Sequence, residues 1–166
     1  FTLIELLIVV AIIAILAAVI FVALNPLQRF QDTRDSSRAA DAVAIADAIN
    51  LDLVDNGGSF HSNITALATS SVYMITTGMG IGCDDNNTYC DTDVSGDAFC
   101  VDLSYLVTEG YLGQVPIAES SGNVTWDDAD INGDEGSGFT MSRNTNGGIT
   151  VRACESEDTD EIFVVR

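Results

Sequence analysis

Two acidic segments carry side-chain oxygens at the alternating positions from which calcium loops draw their ligands. The residues are Asp128, Asp130, Asn132 and Asp134 in one segment and Asp91, Asp93, Ser95 and Asp97 in the other. The first segment is not an EF-hand, because position 12 of such a loop would be Phe139 instead of Glu. A chain this acidic also carries such segments as plain hydrated surface, so Ca²⁺ binding and simple hydration both stay open.

Four cysteines form the second candidate chemical group, namely Cys83, Cys90, Cys100 and Cys154. They are separated by 6, 9 and 53 residues, which lacks the close pairs of a zinc site. An even number favours two disulfides and an oxidising compartment outside the cytoplasm. Three pairings are open, and we favour Cys83–Cys90 with Cys100–Cys154. The longer loop of the second bridge would restrict the unfolded chain more.

Three Asn-x-Thr sequons are candidate glycosylation sites, at Asn63, Asn86 and Asn123. Glycan attachment depends on cellular machinery, and the same residues also suit polar turns. Catalytic chemistry has little support, because the single histidine, His61, lies in a polar loop. It has no nucleophile elbow or phosphate-binding glycine loop near it. We therefore expect a protein that is not an enzyme, with His61 as a surface residue.

The charge balance excludes some partners. The chain has 25 acidic residues against six arginines, for a formal charge of −19. Such a surface repels the nucleic-acid backbone at long range, so no specific nucleic-acid site is expected. Arg29, Arg34 and Arg38 follow one another closely. We expect them on a solvated helix face, or paired with acids of neighbouring copies or with lipid phosphates.

An apolar segment must position the first residues of the chain. Residues 6–24 contain no charge and no proline, and as a helix they would span about 28 Å, close to the thickness of a bilayer core. Asn25-Pro26 should break this helix, because proline lacks an N–H and disfavours helical geometry in the preceding residue. Residues 1–24 are therefore predicted to cross a membrane.

Helical periodicity resumes after the break. One stripe holds Ala42, Ile45, Ala46, Ile49 and Leu53, with Asp41, Asp52 and Asp55 largely off it. This pattern predicts an amphipathic helix over 25–55 that packs one face against a folded head. Asn56-Gly57-Gly58 should end the helix.

The remaining residues, 56–166, predict a small α+β head. Residues 72–76 are typical of a strand and 102–112 of a short helix. Two alternating segments, 138–142 and 149–154, flank an Asn146-Gly147 turn signal, and 161–165 predicts another strand. The expected fold is a long N-terminal helix packed on an antiparallel sheet of three or four strands, with disulfides holding the head together.

The opening FTLIELLIVVAIIAILAAV closely resembles the mature N-terminus of type IV pilins and type II secretion pseudopilins, with Phe1 and Glu5 at the diagnostic positions. DLSYLVTEGYLGQVP (102–116) is similar to a segment of many pilins. The resemblance implies cleavage by a prepilin peptidase just before Phe1 and N-methylation there. It also implies residence in the inner membrane before assembly. Separate ATP-driven pilus assembly machinery would then build a helical homopolymer at the cell surface, and the subunit would require no cofactor.

In such a polymer, the resemblance implies that residues 1–24 form the filament core and that the Glu5 carboxylate approaches the Phe1 amine of a neighbour. The chain departs from the family in placing its proline later, at Pro26, and in having only Cys154 near its end. It also has VPIAESSGN where major pseudopilins carry Asp-Pro-Trp. We therefore expect the major subunit of a type IV pilus that serves adhesion, motility or DNA uptake. A secretion pseudopilin and a monomeric membrane-anchored adhesin are the alternatives.

Overall fold

A computed structural model describes residues 1–78, 83, 89–96, 98–119, 126 and 136–166. The chain begins with helix α1, Leu3–Leu24, and continues with helix α2, Pro26–Asp55. Asn25 lies between them in the left-handed region, with φ 37°. Pro26 occupies the first position of α2, where its missing N–H has no intrahelical partner in any case. Leu3–Asp55 is thus a helical rod with one break.

Helix α1 has no protein packed around it within the described chain. Its side chains from Leu3 to Ala23 are all exposed. Its 22 residues span about 33 Å, enough to cross a bilayer core. By length and composition the helix is a candidate membrane anchor, a property that a signal sequence shares.

The head contains one five-stranded sheet with strand order β2-β1-β3-β4-β5. Its elements, in chain order, are α3 (Ser62–Thr65), β1 (Val72–Thr76), β2 (Cys100–Asp102), α4 (Ser104–Thr108), β3 (Phe139–Arg143), β4 (Ile149–Ala153) and β5 (Phe163–Val165). All neighbours pair antiparallel except β1 and β2, which are parallel. The α+β fold is confirmed. The expected strand number was too low, because β2 is only three residues long and has no alternating pattern of its own.

The turn between β3 and β4 forms where the Asn-Gly pair predicts it. Gly147 has φ 89°, which glycine adopts without steric cost. The Asn144 N–H donates to the Gly148 carbonyl, and Asn144 Oδ1 accepts from the N–H groups of Asn146 and Gly148. This hairpin fixes the register between β3 and β4.

Helix α2 packs against β4 and β5 through the predicted stripe. Ala42, Ile45, Ala46 and Ile49 are each at most 1% exposed and belong to the single core of the head. Asp52 corrects the prediction, because it is fully buried. Its Oδ1 accepts a hydrogen bond from Asn56 Nδ2 at 2.6 Å, which satisfies one oxygen at the end of the helix.

Both disulfides form, but the favoured pairing was wrong. The bridges are Cys83–Cys100 and Cys90–Cys154. Cys154 directly follows β4, and the Asp91 N–H donates to its carbonyl at 2.6 Å, so Cys90 is the cysteine brought beside it. Cys100 is the first residue of β2, the edge strand opposite β5, and it is bonded there to Cys83.

Candidate self-association surface

The N-terminus of α1 is organised by a reciprocal cap. The Thr2 N–H and hydroxyl donate to Glu5 Oε2 at 2.7 and 2.9 Å, and the Glu5 N–H donates to the Thr2 hydroxyl at 3.4 Å. This capping box satisfies backbone groups that the first helical turn leaves without partners. The described hydrogen bonds of the Glu5 carboxylate all use Oε2, and Glu5 is exposed, so Oε1 has no hydrogen bond within the described part of the chain.

The rest of α1 is a large exposed apolar surface. Leu6, Val10, Ile13 and Phe21 are 63, 54, 59 and 69% exposed. Soluble monomeric proteins rarely expose a continuous apolar patch of this size, and such patches mark contacts with a membrane or another protein. The apolar surface continues past the helix break through Leu27, 68% exposed.

A second exposed surface lies on the side of α2 opposite its packed stripe. We call it the outer face, and it consists of Ala40, Val43, Ala44, Asp47, Leu51 and Val54, all exposed. At 100° per residue these six positions fall within an arc of about 100°. Leu51 and Val54 are 55 and 72% exposed. The head thus covers one side of α2 and leaves an equally apolar side uncovered.

The one charged member of the outer face has an internal partner. Arg166 Nε lies 3.0 Å from Asp47 Oδ1, and the two side chains are 42 and 53% exposed. The Arg166 backbone is held in the sheet, because its N–H donates to the Ile149 carbonyl and its carbonyl accepts from the Ile149 N–H, both at 2.9 Å. The ion pair therefore joins the exposed side of α2 to the edge of the sheet beside β5.

A buried ionic cluster attaches the beginning of α2 to the head. Arg38, 1% exposed, donates from Nη1 to Asp35 and to Glu157 at 2.9 Å each. Arg34 donates to both oxygens of Glu157. The N–H groups of Glu157 and Asp158 donate to Asp35. Hydrogen bonding to Arg34 lowers the pKa of Glu157 from its ordinary value, and Arg38 adds to this effect.

The cluster corrects the interpretation of the three arginines as a solvated face. Arg34 and Arg38 bind their own head, a pairing with residues more than a hundred positions away that the sequence pattern gives no means to find. Arg29 remains exposed near Asp32. Desolvation and a hydrogen bond with Asp158 raise the pKa of Asp32.

The metal candidates receive no support from the described residues. Asp91 Oδ2 accepts from the N–H and hydroxyl of Ser156, at 3.0 and 2.5 Å. Ser95 Oγ accepts from the Val72 N–H at 2.8 Å, which directs Ser95 toward β1, and Asp93 is exposed. Within the described part of the chain, no group of three potential ligands could hold a metal ion. Asp97 and the segment with Asp128, Asp130, Asn132 and Asp134 lie outside the described residues.

Of the sequons, only the first falls on described residues. Asn63 Nδ2 donates to the Asp102 carbonyl at 2.8 Å, so a glycan on this nitrogen would leave a single N–H to make this bond. Asn86 and Asn123 lie outside the described residues.

The structure also reveals an aromatic and acidic contact that the sequence pattern missed. The His61 ring stacks on Tyr105 at 3.8 Å between centroids. Burial raises the pKa of Tyr105, and the charge of Asp52 raises it further.

The fold and these surfaces define a class of protein: an α+β head on a long helical stalk whose exposed sides are apolar. No protein-family model matches the chain. No curated protein matches it, and no solved structure matches it. What the stalk does must therefore be argued from its own residues.

Proposed function

We propose that the chain is the structural subunit of a filament of the type IV pilus kind, which polymerises through α1 and the outer face of α2. The observation that carries this proposal is the presence of two apolar surfaces along one helical rod, both uncovered by the head. In a bundle of such rods, each copy would cover the apolar surfaces of its neighbours. Adhesion, motility and DNA uptake are roles that such a filament serves.

A membrane accounts for α1 but leaves the outer face of α2 unexplained. Ala40 lies about 21 Å along the helix from Pro26, past the segment that would occupy the lipid. A monomeric membrane-anchored adhesin would leave Leu51 and Val54 in water. A second copy of the same helix would cover both surfaces at once, which favours the filament over the monomer.

The beginning of α1 supplies a way to set the register between copies. A carboxylate among apolar helices is costly, at about 2.5–3.5 kcal/mol near the centre of a lipid-embedded helix. Glu5 reduces its need for partners through Thr2 and keeps Oε1 for a neighbour. The Phe1 amine of an adjacent copy is the partner that the family resemblance implies, and this pair would fix the axial stagger while the apolar surfaces supply adhesion.

The experiment compares filament yield among variants that differ only in the proposed surface. Cells producing the chain are sheared, and the released material is probed for the chain and viewed by electron microscopy. We expect filaments from the unaltered chain and few or none from Glu5→Ala or Leu51→Asp. Ile117→Asp serves as the matched control, because Ile117 is 42% exposed and belongs to the head, outside α1 and the outer face of α2.

Three outcomes would contradict the proposal in different ways. Membrane-bound chain with no sheared filaments would favour the monomeric adhesin. Short filaments that stay within the cell envelope would favour the secretion pseudopilin. Normal filament yield from both Glu5→Ala and Leu51→Asp would show that these surfaces do not carry assembly.

A further inference from the structure

We infer that Arg166 neutralises Asp47 so that the outer face of α2 can pack against a second copy of the chain. This inference rests on the proposed filament and assigns one ion pair a role within it. Asp47 is the single charged residue among the six positions of the outer face, and Arg166 is its partner at 3.0 Å.

The position of Asp47 makes its charge matter. It lies one helical turn from both Val43 and Leu51, in the middle of the outer face. Any helix that covers Val43 and Leu51 must also remove water from Asp47. A carboxylate that loses water without a cationic partner strongly opposes such contact, whereas a paired one opposes it far less.

The stability of the head does not explain the pair. Both side chains are about half exposed, and pairs of this kind contribute little to folding. The buried cluster of Arg34 and Arg38 already fastens α2 to the head. Yet Arg166 is fixed by two backbone hydrogen bonds to Ile149, so its side chain is held beside Asp47 by the sheet.

The charge distribution favours another copy as the occupant of the outer face. With 25 acidic residues and six arginines, most surfaces of two copies repel one another. Once Asp47 is paired, the outer face carries no net charge and presents apolar side chains. Two copies therefore repel one another less at this face than at the acidic parts of their surfaces. An anionic lipid surface would gain nothing from this face, because Arg166 is already engaged by Asp47.

The test is a double-mutant cycle on the full-length chain. The purified chain is diluted out of detergent, and the critical concentration for assembly is measured by sedimentation, with filaments verified by electron microscopy. The variants are Arg166→Gln, Asp47→Asn and the two combined. Arg152→Gln is the control, because it removes a less exposed ion pair, between β4 and Glu161, that lies outside the outer face. Fluorescence of the buried Trp126 reports whether the head stays folded.

Arg166→Gln should raise the critical concentration about tenfold or more, because it leaves Asp47 charged and unpaired at the contact. Asp47→Asn and the combined variant should assemble within about twofold of the unaltered chain, since neither carries the lone carboxylate. Thermal unfolding of the head, followed by Trp126 fluorescence, should be unchanged in the Arg166 and Asp47 variants, and Arg152→Gln should lower the melting temperature only slightly.

Assembly of Arg166→Gln at the critical concentration of the unaltered chain would overturn the inference. So would equal impairment of Arg166→Gln and the combined variant, or a large drop in head stability, because Arg166 would then act on the fold and not on Asp47. Binding of the unaltered chain to anionic vesicles through the outer face would also overturn it. If the unaltered chain never assembles while its head is folded, the proposed function itself fails.

Discussion

Helix α1 and the second half of α2 belong to one helical rod but differ in the exposure of their apolar side chains. Ile13 in α1 is 59% exposed, whereas Ile45 in α2 is fully buried. Both are isoleucines in regular helix, so neither helix propensity nor residue type distinguishes them. The difference lies in what each is packed against, which is the sheet for Ile45 and nothing within the described chain for Ile13.

This contrast assigns folding and the proposed assembly to different parts of the same helical rod. The inner side of α2 supplies the head with part of its core, and its substitution should act on stability. The side chains of α1 from Leu3 to Ala23 are exposed in the described chain, so their substitution should act on membrane retention and assembly while the head stays folded.

The largest contrast is expected from placing a carboxylate at matched positions in the two regions. Ile45→Asp should prevent the head from folding, because it buries an unpaired charge among β4 and β5. Ile13→Asp should leave the thermal unfolding of the head unchanged but reduce membrane retention. Thermal unfolding monitored by Trp126 fluorescence in detergent, with membrane fractionation, checks both results. Loss of the folded head in Ile13→Asp would break the division.

The disulfide that closes the longer loop should contribute more to the stability of the head. Replacing Cys90 and Cys154 by serine, across a separation of 64 residues, should cost about 4 kcal/mol. Replacing Cys83 and Cys100, across 17 residues, should cost about 3 kcal/mol. Denaturant unfolding of the two double variants measures this difference. Equal losses would mean that loop length does not set the contribution.

The buried ionic cluster should matter less than either bridge but still belong to folding. Glu157→Gln removes the carboxylate that both Arg34 and Arg38 contact, and should lower the free energy of unfolding by about 2 kcal/mol. Arg152→Gln, at a more exposed pair, is the control and should cost about 0.5 kcal/mol. An equal effect of the two substitutions would contradict the importance of burial.

The same carboxylate predicts how stability depends on pH. Because the pKa of Glu157 is lower in the folded head than its ordinary value of 4.5, its ionised form stabilises the head. That contribution is complete above about pH 4.5 and is lost as the pH falls through the folded pKa. Melting temperatures of the unaltered chain should therefore fall more steeply between about pH 5 and 3 than those of Glu157→Gln. Parallel pH profiles would show that Glu157 is not the group responsible.

The sequence predicted the elements that local patterns determine. The apolar run, the break at Asn25-Pro26, the stripe of α2 and the hairpin at Asn146-Gly147 each depend on residues close together in the chain. Four features escaped prediction because distant segments create them: strand β2, the disulfide partners, the burial of Asp52 and the binding of Arg34 and Arg38 to Glu157. From the sequence alone, a charged residue in a helix is expected to be exposed, because a distant partner that would allow its burial cannot be identified.

The candidate site shows the same division. Phe1, Glu5 and the apolar surface of α1 were predicted because they form one continuous pattern. The outer face of α2 was not predicted, because its apolar residues lie on the same helix as the buried stripe and opposite to it. The partner of Asp47 was also unpredictable, because Arg166 reaches it only through the pairing of β4 and β5.

In the proposed filament, the buried ionic cluster would be one path along which tension on α1 reaches the head. A pull along α1 passes through the break at Asn25 into α2, and there Arg34 and Arg38 transfer it to Glu157. Three residues before Glu157, Cys154 is covalently linked to Cys90. Mechanical load on the stalk thus enters the head beside a covalent bond and is spread across two distant parts of the chain, instead of peeling off a single strand.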